Sequence, residues 1–340
     1  VNPASGDRHA RDEQREHLEL ARLLPPPPHQ DMAPDRLRTS KEFLLNEIDR
    51  HHRPAAPAAR RWGRLALATA AATAAAVAVV VGTQGGGAPG EKAPPATTAS
   101  VQLLNRVAQV AYARSQAQPR DSQYTYVRTV GHSTSLSERS DGSMQRDTIT
   151  QNREDWTPVD GDRPGLQRSS GGDREIPALH GGTLNSPTYK LLASLPTDPQ
   201  ALLKQIYADA DLNHGAGSGS TTGPDQEAFT TIGDLLRSSV APPQVSAALY
   251  RAAGHIPGVV TVDDAVDAAG RHGVAVARVH GGERSEWIFD RRSLRLLGER
   301  TVLLEDSSWG RAGDEVTSIA VVGRGIVDAA GQTPDARSNP

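Results

Sequence analysis

The hydrophobic positions of this chain change period from segment to segment, and each change marks a different kind of element. From Leu65 to Val81 the run LALATAAATAAAVAVVV carries no charge and sits near the ~17-residue lower limit for a membrane-spanning helix. Ahead of it, Arg11 to Leu24 and Ser40 to Arg50 read as short helices separated by Pro25 to Pro28, which no helix crosses. In the first, Leu20, Leu23 and Leu24 cluster near one end. In the second, Thr39 and Glu42 form a capping-box pair, and Leu37, Phe43, Leu44 and Ile48 make a partial apolar stripe.

Beyond a Gly, Pro and Ala-rich linker, helical spacing returns from Ser100 to about Ala117, with Val101, Leu104, Val107, Ala108 and Ala111 on one face. Alternation from Gln123 to Val130 predicts a half-buried strand, and Met144 to Trp156 a polar partner for it. Pro199 to Asp209, Asp225 to Ser238 and Pro243 to Ala253 then read as helices, with Asp198 and Asp225 as N-caps. Gly273 to Val279, Ser285 to Asp290 and Arg295 to Leu304 form an antiparallel meander, and Ser318 to Val322 adds a strand. Strand, helices, then strands predict an α+β domain with helices over one sheet face.

Charge orients the apolar run. Arg50, Arg53, Arg60, Arg61 and Arg64 precede it with no intervening carboxylate, whereas Glu91 and Lys92 balance each other after it. The N-terminus is therefore expected in the cytoplasm, with Arg60, Arg61, Trp62 and Arg64 flanking the membrane and Trp62 at the interface. Two other readings stay open: a buried Ala-rich helix, and a cleaved export signal built on Arg60-Arg61. The expected organisation is a cytoplasmic arm over 1–64 with two short helices, partly disordered, and a single transmembrane helix over 65–83. A linker over 84–98, an extracytoplasmic α+β domain over 99–332 and a disordered tail over 333–340 follow.

A net charge of -3 and a pI near 6.4 provide no bulk attraction to nucleic acid, so direct nucleic-acid binding is not expected. The absence of cysteine excludes disulfides, thiolate metal sites and cysteine nucleophiles. No HExxH, GxSxG, P-loop or kinase signature occurs, and no cofactor or metal is expected. Gly85-x-Gly87-x-x-Gly90 contains Pro89 and no strand leads into it, so it is a chance match. Asp263, Asp264 and Asp267 form a small acidic group. Glu286 and Asp290 share one strand face, opposite Trp287 and Phe289, as a solvated face over a buried aromatic one or as a catalytic pair. Between sheet and helices lies either a filled core or a cavity for a hydrophobic ligand.

Tyr124 to Arg128, Trp156, Leu195 to Pro199, Asp225 to Leu236, Ile256 to Gly258, Asp267 to Arg278 and Glu286 to Asp290 resemble an actinobacterial family of single-pass membrane proteins. Its genes commonly neighbour those of extracytoplasmic-function sigma factors. Trp287 to Asp290 with Leu294 to Glu299 is distantly similar to lipoprotein-carrier and sigma-regulator periplasmic domains, whose half-barrels hold hydrophobic ligands. The resemblance implies a half-barrel-like sheet and a membrane-bound regulator whose arm holds a sigma factor through Leu20, Leu24, Phe43, Leu44 and Ile48. The zinc-containing anti-sigma pattern needs cysteines, so any sigma-binding arm here is zinc-free. The expected partners are the lipid bilayer, a sigma factor at the arm and a hydrophobic ligand in the outer domain. A tethered lipid carrier is the alternative reading, and an envelope enzyme a third.

Overall fold

The computed structural model describes residues 93–114, 118–214 and 222–334. The arm over 1–64, the span over 65–83, the residues Leu20, Leu24, Phe43, Leu44, Ile48, Arg60, Arg61, Trp62 and Arg64, and most of the linker lie outside the described residues. Among the described residues, no helix is long and apolar enough to cross a membrane.

Helix α1 (Thr98–Ala113) opens on an N-cap at Thr97, whose side chain accepts from Ser100 N. The residues before it are stitched to the start of a later strand. Thr97 N and Ser100 Oγ both donate to Val259 O, at 2.9 Å each. Strands β1 (Tyr124–Glu138) and β2 (Met144–Pro158) follow, then β3 (Gly165–Ser169) and β4 (Gly172–Ile176). The tip between β1 and β2 is a tight turn in which Asp141 Oδ1 accepts from Ser143 N at 2.9 Å and Ser143 Oγ at 2.6 Å. Four helices come next: α2 (Tyr189–Ser194), α3 (Pro199–His214), α4 (Pro224–Ser238) and α5 (Pro243–Ala253). Strands β5 (Val259–Val266), β6 (His272–His280), β7 (Glu283–Phe289), β8 (Leu296–Leu303) and β9 (Glu315–Val327) complete the described part.

All nine strands form one sheet in the order β4-β3-β2-β1-β9-β8-β7-β6-β5. The expected α+β class with a large antiparallel sheet is therefore observed, β6 to β8 form the expected meander, and β5, which the pattern did not predict, extends it at the edge. The main core lies between one face of that meander and the helices. Leu104 and Val107 of α1, Phe229 and Ile232 of α4, Leu249 of α5, and Val276, Trp287 and Phe289 of the sheet belong to it. Phe229 stacks on Trp287 with centroids 4.0 Å apart and planes at 7°, worth about 0.5–1.5 kcal/mol beyond burial. Gly233 makes that approach possible, since a Cβ there would stand 2.4 Å from Trp287 Nε1. A smaller cluster of Ala265, Ala275, Ile288 and Leu297 occupies the other face of the meander. Tyr126, Trp156 and Val327 anchor the β1, β2 and β9 region, where Trp156 Nε1 donates to Gln332 O at 2.5 Å.

Several expected boundaries shift. The strand expected at Gln123 to Val130 runs from Tyr124 to Glu138, and the one expected at Ser318 to Val322 spans Glu315 to Val327, because the two pair along most of their length. Helix α1 ends at Ala113 rather than near Ala117. Asp198 does cap α3, accepting from Ala201 N at 2.8 Å. Asp225 does not cap α4: Gly223 holds the N-cap, Pro224 begins the helix, and Asp225 in the first turn accepts from Tyr207 Oη at 2.7 Å.

Candidate functional site

The residues singled out for chemistry have structural partners. Trp287 and Phe289 are buried under the helices as expected. Glu286, on the opposite face, is not solvated: it is fully buried, and its carboxylate accepts from Arg284 Nε at 2.6 Å and Arg300 Nε at 2.9 Å. The sequence reading missed this because the clamp comes from Arg284 two residues back and from Arg300, the cross-strand partner on β8. Asp290 does not join Glu286. Its Oδ1 accepts from Arg292 N, Ser293 N and Ser293 Oγ, closing the turn into β8, and these bonds hold its carboxyl below the usual carboxylate range.

The acidic group also disperses. Asp267 is buried and organises the β5–β6 turn, accepting from Ala269 N at 3.0 Å and Arg271 N at 2.9 Å. Arg271 reaches from Asp267 to Leu297 O at 2.8 Å and Val321 O at 3.0 Å, tying that turn to β8 and to β9. Asp264 is exposed, and its Oδ1 meets His272 Nδ1 at 3.3 Å and Arg291 at 3.2 Å. Among the described residues, no group of His, Cys, Asp and Glu is arranged to hold a metal ion.

One concavity remains beside this framework. A cleft of about 350 Å³ opens between α1 and the β5–β6 edge, lined by Ala99, Gln102, Leu103, Arg106, Thr261, Asp263, Val274, Arg291 and Leu294. Leu103, Val274 and Leu294 form an apolar floor continuous with the main core. Polar side chains ring it. Arg106 is exposed and has no hydrogen-bond or ion-pair partner among the described residues, whereas Arg291 bonds Asp263 O and Asp264. Such a site suits an apolar group with a polar end, which is the ordinary composition of small-ligand pockets. It lies at the margin of the helix layer rather than inside it, where Phe229, Ile232 and Trp287 fill the space. Of its residues the sequence reading had singled out Asp263 alone for chemistry, and had named Leu294 only as the start of a strand segment. The available signal was Leu103, one residue outside the expected α1 face, with Arg106 a turn later at the edge of the same stripe.

No protein-family model matches this chain, and no curated protein matches it. A crystal structure of MucB aligns with 73% of this chain and 64% of that chain at 16% identity, with a TM-score of 0.23. The chain thus spans under two thirds of the length of that structure.

Proposed function

We propose that the chain is a non-enzymatic, membrane-anchored envelope sensor or regulator. Its N-terminal arm holds a sigma factor on the cytoplasmic side, and its α+β, half-barrel-like domain stands outside. The observation that carries this reading is the position of α1. It is the first described helix after the linker that follows the apolar run, and it forms one wall of the cleft. A ligand in that cleft touches the helix to which the anchor is joined in sequence, so occupancy has a direct mechanical route to the membrane segment. The clamped state of Glu286 and the capping role of Asp290 favour binding over turnover at that strand.

The apolar floor of Leu103, Val274 and Leu294 supports a second reading, a tethered carrier of lipid or another hydrophobic ligand with a passive arm. One experiment separates them. Full-length tagged chain is purified from membranes beside Phe43→Asp and Leu44→Asp forms. A sigma factor recovered with the native chain and lost from both variants is the expected result. Recovery of no selective protein partner sinks the regulator. A hydrophobic ligand retained by the native chain and lost on Leu103→Arg, with no sigma factor present, establishes the carrier.

A further inference from the structure

The two walls of the cleft start from one point. Thr97 N and Ser100 Oγ, at the beginning of α1, both bond Val259 O at the head of β5. From there roughly 13 Å of helix, at ~1.5 Å per residue, reaches Arg106, and roughly 13 Å of strand, at ~3.3 Å per residue, reaches Asp263. The guanidinium and the carboxylate therefore stand at the same level on facing walls, and both line the cleft. Asp263 lies in the irregular stretch of β5 between Val262 and Ala265 that has no partner on β6, and such irregularities re-aim a side chain out of the ladder. Arg106 and Asp263 are exposed, and among the described residues neither side chain has a hydrogen bond or ion pair, with the other or with a third group. Arg291, the other cation of the rim, is already engaged with Asp263 O and Asp264.

The floor between them is strained. Leu294 takes a left-handed backbone, φ 53, in the turn where its N–H donates to Asp290 O, a conformation that costs a residue with a side chain about 1–2 kcal/mol. Glycine would relieve the strain and leave no apolar wall. Leucine closes the floor beside Leu103 and Val274 and is itself buried. At about 30 Å³ per water, a cleft of about 350 Å³ holds roughly a dozen water-sized groups. That is the scale of one amino acid, not of a two-chain lipid.

We propose that the cleft binds an apolar α-amino acid, whose side chain lies on Leu103, Val274 and Leu294 while its carboxylate meets Arg106 and its ammonium meets Asp263. This rests on the reading of the cleft as a ligand site and names the ligand's class. A ligand bearing only an anion faces the charge of Asp263 unmatched, and one bearing only a cation faces that of Arg106, so the zwitterion is the form that both walls favour. Contact with the floor supplies affinity, and the two charges fix orientation.

The test is calorimetric titration of the full chain in a nonionic detergent with matched probes: L-phenylalanine, 3-phenylpropionate, which lacks the ammonium, and phenethylamine, which lacks the carboxylate. Phenylalanine binds about tenfold more tightly than either, the scale of one hydrogen bond to a charged group. Arg106→Gln weakens phenylalanine about tenfold without weakening phenethylamine, and Asp263→Asn weakens phenylalanine about tenfold without weakening 3-phenylpropionate. Arg146→Gln, which removes an exposed arginine of β2, changes none of these affinities. Gln102→Trp, which fills the cleft from an exposed position, abolishes binding. Equal affinity for every probe, or phenylalanine binding untouched by Arg106→Gln and Asp263→Asn with melting curves intact, overturns the amino acid. A single-charge probe that binds better than phenylalanine and is lost on Gln102→Trp also overturns it but leaves the cleft a ligand site; binding of no probe removes both.

Discussion

Glu286 and Glu299 lie on neighbouring strands and face opposite sides of the sheet, and their surroundings set opposite behaviours. Glu286 is fully buried between Arg284 and Arg300, so Glu286→Ala leaves two guanidiniums without their shared anion. A loss of about 3 kcal/mol in urea unfolding is expected, the scale for breaking a buried ion pair from one side. Glu299 lies on the helix face beside Arg237, yet burial and the nearby Asp234 raise its carboxyl to about 7 despite that arginine. Its folded form therefore holds a proton that the unfolded chain has released between about pH 4.5 and 7. Because the native state binds more protons there, stability falls as pH rises through that window, by about 3 kcal/mol at most. Glu299→Gln should flatten the fall in a series of urea titrations from pH 5 to 8. A slope identical to that of the native chain would show that Arg237 keeps Glu299 ionised throughout.

The elements themselves were legible where a period ran long. Pro243 to Ala253 is helical over that same range, and β6 to β8 fall within a residue or two of their expected bounds, because alternation and turn residues agree there. What escaped was short or polar: β3 and β4 have five residues each with few apolar ones, α2 has six, and β5 carries Asp263 and Asp264 in its middle. Their placement comes from cross-strand pairing and from the β5 irregularity between Val262 and Ala265, which no local pattern encodes. The cleft escaped for the same reason, since its walls meet across more than 150 residues of sequence, Leu103 against Val274. The α4–sheet contact offers a test at this scale. Gly233→Ala places a methyl against the Trp287 indole, and overpacking of that kind is worth about 1–3 kcal/mol of stability. A lowered unfolding midpoint with altered tryptophan emission is the expected result. An unchanged midpoint would mean that α4 slides away from β7 at no cost.

At the scale of the whole molecule, the α+β body and the arm are linked through the apolar run from Leu65 to Val81, and its orientation decides whether the proposed regulator can work. Alanine supplies little transfer energy, so the proposed insertion would rest on Leu65, Leu67 and the valines near Val81, and its direction on the flanking arginines. A sigma factor and the α+β domain must lie on opposite sides, which requires the arginine-rich flank inside. The expected outcome in intact spheroplasts is digestion of a C-terminal tag by added protease, with an N-terminal tag protected on the same membrane-bound polypeptide. Replacing Arg50, Arg53, Arg60, Arg61 and Arg64 by Gln removes the positive-inside bias and should produce a population with the tags reversed. Loss of the N-terminal tag from the membrane-free native protein would instead indicate cleavage after an export signal at Arg60-Arg61. The arm would then be discarded, and with it any route by which Phe43 and Leu44 hold a cytoplasmic partner; the α+β body would stand as a released binding protein.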